Sequence, residues 1–298
     1  MNAPYVTDRL QLGDHACWIF DDDDRCLREM ARFVQAGLAR RQRVVYLTET
    51  LAPSALLVAL QARGVHAAEA TAAGRLEIVP ARDVYLTDGA FDPDGVLRLT
   101  RDLVAATVRN GYAGLRAVGD MSWALARPPG VERLVRYETE INQLFLDGLA
   151  VGVCLYDRRR FDKHLLRALA AAHPCTNPAR VDDGWRPPLR MRRGPAGLCL
   201  KGAVDATNRH ALAAALGTVV DGARGARPVR VDVSELTFLD AAGASLLARA
   251  AATAPAGVTL VGCSVPVVRV LSLIGARRVP GLTLTPAATG VNRSTEAT

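Results

Sequence analysis

The chain has 298 residues, of which half are hydrophobic and 22% are charged. That composition excludes a disordered or low-complexity chain and suffices for two ordinary domains, each with its own core. The formal net charge of +7 is uneven, because residues 1–189 hold 24 Lys or Arg against 24 Asp or Glu, and residues 190–286 hold 12 against 5. The basic surplus of the second half suits an acidic protein partner. Its arginines are scattered, with few aromatics among them, which argues against nucleic acid. Six cysteines, at 17, 26, 154, 175, 199 and 263, form no Cys-x-x-Cys pair. Met1 to Gly13 has no apolar core, and no stretch reaches the roughly 18 apolar residues of a membrane span. The expectation is a cytoplasmic protein with reduced thiols and no membrane partner.

In chain order, His15 to Phe20 reads as a buried strand. Asp21 to Asp24 opens a helix with Leu27, Met30, Phe33, Val34, Gly37 and Leu38 on one face. The acidic run suits the positive end of a helix, so capping explains it without a metal. Val44 to Thr48 is a strand, Ala52 to Gly64 a helix, and Leu76 to Pro80 a strand. Asp92 to Asn110 is a long amphipathic helix, Leu115 to Val118 a strand, and Val131 to Phe145 a helix. Ala150 to Tyr156 is a strand and Asp162 to Ala172 a helix. Five strands separated by helices imply a parallel sheet covered on both faces, with any ligand at the carboxyl ends of the strands.

Pro174 to Pro188, with four prolines, reads as a linker. Beyond it lie strands at Leu189 to Arg193, Leu198 to Gly202, Val229 to Val233 and Val258 to Gly262. Helices fall at Asp205 to Asp221, Ala242 to Ala252 and Val265 to Leu273. The Ala/Thr/Gly-rich tail from Pro286 is expected to be loose. The domains are therefore set at 1–175, with a linker at 176–188, a second domain at 189–286 and a flexible tail at 287–298.

Gly202-Ala-Val-Asp205, a helix, and then Val231-Asp-Val-Ser-Glu-Leu-Thr-Phe-Leu-Asp-Ala-Ala-Gly243 resemble the STAS family of anti-sigma-factor antagonists. The resemblance implies a small mixed sheet packed by helices, a partner that is an anti-sigma factor of serine-kinase type, and a partner surface at Asp240, Ala241, Ala242 and Gly243. In that family the serine directly after the aspartate is phosphorylated. A phosphate there adds nearly two charges at a helix N-terminus. Here that position is Ala241, so no phosphoacceptor is assigned. Ser234 and Ser245 are the nearest hydroxyls, and both are read first as structural. Asp240 reads as an N-cap.

Gly13-Asp-His-Ala-Cys-Trp-Ile-Phe20, Gly119-Asp-Met-Ser-Trp-Ala-Leu125 and Cys154-Leu-Tyr-Asp-Arg-Arg-Arg-Phe161 resemble the MEDS sensory domain. That resemblance implies a RecA-like α/β fold that senses small organic compounds. A nucleotide hydrolase with a regulatory STAS domain is the alternative. A P-loop, however, needs Gly-x-x-x-x-Gly-Lys-Ser/Thr after the first strand, and Phe20-Asp-Asp-Asp-Asp24 stands there. The chain is therefore not read as an enzyme, and no catalytic residue is assigned.

His15 and Cys17 share a strand face by parity, and Cys154 lies on a strand that a parallel sheet brings near. With Trp18, Asp120, Trp123 and Tyr156 they form the candidate ligand site. No cofactor and no metal is assigned to it. Two other readings stay open: His15, Cys17 and Cys154 holding a metal or haem, and all three being ordinary core residues. A real pocket would make Cys17 or Cys154 react with thiol reagents faster than Cys199. The fold class expected is α/β: a RecA-like parallel sheet lacking a P-loop, followed by a small STAS-type α/β domain. The function expected is signalling or transcription regulation, with the sensor controlling how the STAS surface binds its partner.

Overall fold

The computed structural model describes residues 6–177, 185–194, 197–223 and 227–287. The first half alternates strands and helices: β1 (His15–Phe20), α1 (Asp23–Ala39), β2 (Arg43–Thr48), α2 (Pro53–Gln61), α3 (Ala67–Ala72), β3 (Leu76–Pro80) and α4 (Ala81–Tyr85). A two-residue hairpin, β4 (Leu86–Thr87) and β5 (Ala90–Phe91), leads into α5 (Pro93–Arg109) and β6 (Leu115–Asp120). Then come α6 (Leu134–Glu140), β7 (Ala150–Asp157), α7 (Lys163–Ala172) and β8 (Cys175–Thr176). The sheet is six-stranded, in the order β3-β2-β6-β7-β1-β8, and every pairing in it is parallel.

Both faces of this sheet are covered, as its nearly unbroken apolar strands require. Ala16 and Trp18 of β1 pack with Met30, Phe33 and Val34 of α1 and Leu56 and Leu60 of α2. Cys17, Cys154 and Tyr156 point the other way, toward α4, α5, α6 and α7. The capping reading of the acidic run holds: the Asp22 side chain accepts from Arg25 N at 2.9 Å, with Asp23 and Asp24 in the first turn. The run also meets the arginines at the neighbouring strand end, because Asp21 and Asp23 pair with Arg158 and Arg159.

Two expectations for this half are corrected. The helix expected over 131–145 is broken into a 3-10 turn at Val131–Arg133, α6, and a second 3-10 turn at Ile141–Leu144. Buried Asn142 supplies the reason, since its amide donates to the carbonyls of Glu138 and Thr139 and so competes with the helical ladder. The segment read as a linker begins inside the sheet, where β8 forms the sixth strand beside β1. Asn177 extends this edge, its side chain accepting from Ile19 N at 2.6 Å and donating to Ile19 O at 2.9 Å. The remainder of that linker at 178–184, and the tail from 288, lie outside the described residues.

The second half forms a separate mixed sheet. Its elements are β9 (Leu189–Gly194), β10 (Gly197–Val204), α8 (Arg209–Asp221), β11 (Val229–Leu239), α9 (Ala241–Thr253), β12 (Val258–Cys263), α10 (Val265–Leu273) and β13 (Leu282–Pro286). The order is β13-β12-β11-β10-β9, antiparallel only between β9 and β10. Val229 to Leu239 is one long strand rather than a strand and a loop. Shifts in its register against β10 absorb the extra residues.

Strand β9 also docks the second half onto the first. Arg190 binds the buried Asp14 carboxylate at 2.9 and 3.1 Å and donates to Arg9 O at 2.8 Å. Arg192 donates to Leu12 O at 2.6 Å, and Arg193 pairs with Asp147 at 2.6 Å. Part of the basic surplus is thus used within the chain. Leu146, from the turn before β7, is buried in the core of the second sheet.

Gly37 shows how tight the first core is. A Cβ there would lie 2.5 Å from Arg116 Cδ and 2.9 Å from Val44 Cγ2. Arg116 itself is fully buried, donating to Gln42 at 2.6 Å with its guanidinium over the Phe33 ring. Alanine ordinarily stabilises a helix interior over glycine by about 1 kcal/mol. Here Gly37→Ala is expected to reverse that sign and destabilise the chain by roughly 1–3 kcal/mol, read as a lower urea midpoint at unchanged m.

Candidate functional site

An apolar cavity of about 250 Å³ lies between the first sheet and the helices covering one face of it. Its floor comes from the small residues of the central strands. Gly119 and Gly152 leave room for rings to lie on the sheet: a Cβ on them would fall 2.7 Å from the Tyr85 hydroxyl and 2.8 Å from Phe145 Cζ. Ala117 lies between them across the strands, and Val45, Leu103 and Leu115 supply further apolar wall. The cavity spans the face of the sheet, and β1 meets it through His15, its first residue. The expected position at the carboxyl ends of the strands is corrected accordingly.

Arg43, Glu77 and Thr100 are among the polar residues of the wall, and His15 and Cys154, which also line it, meet two residues that do not. His15 Nε2 lies 3.3 Å from Cys154 Sγ and 3.5 Å from Glu138 Oε2. The Cys154 thiol points at Glu138 Oε2 at 3.5 Å, and His173 Nε2 lies 3.3 Å from the same oxygen. The Tyr156 hydroxyl donates to the other carboxylate oxygen. Glu138 comes from α6, His15 from β1, Cys154 from β7 and His173 from the turn after α7, and all four are buried. His15 is held between Phe145, stacked at 4.5 Å, and the tilted ring of His173.

The electrostatics follow from burial. Desolvation, with His173 alongside, pulls His15 down to about 3, so its imidazole is neutral at ordinary pH. Burial pushes Glu138 up, but His173, His15 and the Tyr156 hydroxyl outweigh it and hold the carboxyl below its usual range. Burial, and next the charge of Glu138, push both Cys17 and Cys154 well above the ordinary thiol value.

The candidate residues divide. Cys17 lies opposite Cys154 in the β1–β7 register and shares its face, as parity requires, but makes no hydrogen bond to the cluster among the described residues. Trp18 alternates to the opposite face and packs in the other core, so it is not a wall of this site. Trp123 packs on Tyr85 and Phe91 at 5.0 and 4.8 Å, behind the cavity wall. Asp120 is a structural joint. It caps the 3-10 turn at Met121–Ala126 through Ser122 N, and it accepts from Glu49 N, Thr50 N and the Thr50 hydroxyl. Sequence reasoning missed Glu138 and His173. The available signal was a lone carboxylate on the face of α6 that carries Leu134, Tyr137 and Ile141.

In the second domain, Asp240 caps α9 by accepting from Gly243 N at 2.6 Å, as expected. Ala241 is exposed and Gly243 is buried, where a Cβ would meet Val204 Cγ1 at 2.5 Å. The Ser245 hydroxyl donates back to Ala241 O, and Ser234 N donates to Asp232.

Two family models match the chain. One, described as the methanogen/methylotroph, DcmR sensory (MEDS) domain, covers residues 14–174, and the other, described as Mlab, STAS domain, covers residues 189–284. No curated protein matches. Among solved structures, a KaiC-like protein from the archaeon Pyrococcus horikoshii OT3 is 13% identical, with 63% of this chain and 89% of that chain covered and a TM-score of 0.42. The flagellar accessory protein FlaH from Methanocaldococcus jannaschii is 12% identical, with 71% and 88% covered and the same TM-score. Both likenesses are slight.

Burial reverses the order of thiol reactivity expected from sequence. Cys199 is exposed and the other five thiols are buried. A disulfide reagent is therefore expected to label one thiol per native chain rapidly, at Cys199, and all six after denaturation. Cys199→Ser should remove the fast phase.

Proposed function

The chain belongs to the MEDS sensory-domain family, and from that premise we propose that a small apolar organic ligand in the cavity sets how the second domain engages an anti-sigma factor of serine-kinase type. The MEDS and STAS matches together support a signalling role. The ligand and the partner are this reading's own additions.

One observation carries the coupling. Phe145 lines the cavity and stacks on His15, while its neighbour Leu146 is buried in the core of the second sheet. The backbone between them is tied across, since Arg193 N donates to Leu146 O at 2.7 Å. A molecule that moves the Phe145 ring therefore pulls on a residue belonging to the other core. A cavity of this size, with mostly apolar walls and its two charged residues Arg43 and Glu77 paired with each other at 2.8 Å, favours a ligand without strong polar groups. On the output side, the exposed ring of Phe238 lies two residues before Asp240 and three before exposed Ala241. Such a ring is the kind of anchor that dominates protein interfaces. With no hydroxyl at 241, the surface stays free of the family's phosphate switch, and control passes to the ligand.

Nucleotide hydrolysis has no part in this reading. The turn after β1 carries four carboxylates where phosphates would need backbone N–H groups and a lysine.

Two measurements on the full chain test the proposal. Benzene and short halogenated hydrocarbons are expected to raise Tm in a concentration-dependent way, and Ala117→Leu, which fills the cavity floor, should abolish the shift. A purified anti-sigma factor of serine-kinase type should bind with an affinity that changes when benzene is present. Ala241→Arg should weaken that binding about tenfold or more, equivalent to roughly 1.4 kcal/mol. Binding that is indifferent to benzene would refute the coupling. A benzene shift that survives Ala117→Leu would refute the site.

A further inference from the structure

The cluster beside the cavity has a property that a ligand wall does not need. Asn142 Nδ2 donates to the carbonyl oxygens of Glu138, Thr139 and Ala172 at 3.0, 2.9 and 2.7 Å, so its Oδ1 faces His15 Nδ1 at 3.1 Å. His15 Nδ1 therefore carries the hydrogen, and the neutral ring turns a bare Nε2 toward the cluster. His173 repeats the arrangement, with Nδ1 directed at Leu169 O at 2.7 Å. Its Nε2 is fully buried and faces Glu138 Oε2 at 3.3 Å. Both Nε2 atoms, the Glu138 Oε2 and the Cys154 sulfur thus converge on one point, with each ring fixed from behind through its Nδ1. A divalent cation at that point can take the place of the protons these groups share.

Its dimensions fit an ion. Four donors held 2.0–2.3 Å from Zn²⁺ in a tetrahedron lie about 3.3–3.8 Å from one another. The four separations of this cluster given above are 3.3, 3.5, 3.5 and 3.3 Å. All four donor atoms lie within 4.8 Å of one another. We propose that His15, Glu138, Cys154 and His173 form a Zn²⁺ site. One thiolate, one carboxylate and two neutral imidazoles cancel the charge of a divalent ion, so the loaded site is neutral, which its burial demands. On binding, the Cys154 S–H bond breaks and the sulfur pair goes to the metal, the proton between His173 Nε2 and Glu138 is displaced so that both bind the ion, and the released protons leave to solvent. Asn142 and the Leu169 carbonyl orient the two rings from behind, as the outer partners of zinc-bound histidines do. The cavity, which both His15 and Cys154 line, gives the ion a way in. Because four ligands come from the chain, the ion is a structural brace joining β1, α6, β7 and the turn after α7. The site stands whether or not the cavity takes an organic ligand.

The test uses the full chain, stripped with a chelator, confirmed folded by circular dichroism, and titrated with Co²⁺ and Zn²⁺. The expected result is one equivalent bound per chain, with intense visible bands of tetrahedral Co²⁺ and a near-ultraviolet thiolate-to-cobalt band. Cys154→Ser should remove the thiolate band, and His173→Ala should weaken binding roughly 100-fold or more. Cys17→Ser and Cys199→Ser should change neither. X-ray absorption on the Zn²⁺-loaded wild-type chain should find one sulfur at about 2.3 Å and three nitrogen or oxygen atoms at about 2.0 Å, a reading that needs no variant to fold. A folded, metal-free chain that takes up no metal would overturn the proposal, and so would a first shell without sulfur. In either case the cluster would be a buried hydrogen-bond network and nothing more.

Discussion

A carboxylate in the middle of an apolar core costs several kcal/mol unless positive charge or hydrogen bonds meet it, and Glu138 is such a group, with no exposure at all. Cys154 and Tyr156 of β7 direct their protons at it, His173 from the turn that leads into β8 faces it at 3.3 Å, and His15 of the first strand lies 3.5 Å away. Asn142 stands one helical turn beyond Glu138 and breaks α6 at the point where its amide is needed. The register of β1 on β7, the irregular end of α6 and the path of the chain after α7 are therefore solutions to one electrostatic requirement. A network of this kind tolerates partial satisfaction badly, and that gives the site its rigidity.

The same segment joins the two halves. Ile141, Leu144 and Phe145 line the cavity and Leu146 enters the second core, so only one peptide bond separates the cavity wall from the core of the second domain. The arginines of β9 secure the contact from the other side, with Arg190 on the buried Asp14 just ahead of His15. A displacement at the cavity has a short mechanical route to the second sheet, through packed atoms rather than through a loose tether. Part of the basic excess of the second half belongs to this joint.

The start of α9 is built by small residues. Gly243 admits no side chain because Val204 and Leu239 press against it, and Asp240 closes the first turn of α9. With these two engaged in the fold, Ala241 and Phe238 are what the surface presents. A methyl group where the STAS family carries a hydroxyl leaves the shape of the helix start unchanged and removes its chemistry.

Much was legible in the residues alone. Period-two and period-3.6 patterns placed the strands and most helices within a few residues, because apolar faces must be buried whatever their partners are. Parity placed His15 and Cys17 on one face, and the capping aspartates at 22, 162 and 240 act locally, so their own neighbourhood decided them. What required the tertiary structure was every pairing across distance. Trp18 adjoins Cys17 in sequence yet faces the opposite core, while Glu138 and His173 reach His15 from 123 and 158 residues away. Cys175 and Thr176 look like the start of a linker until they pair beside β1. Local pattern reports which face of an element is buried. Which buried groups meet one another depends on strand order and helix placement, and here that order brought the donor atoms of two histidines, a thiol and a carboxylate within 4.8 Å of one another.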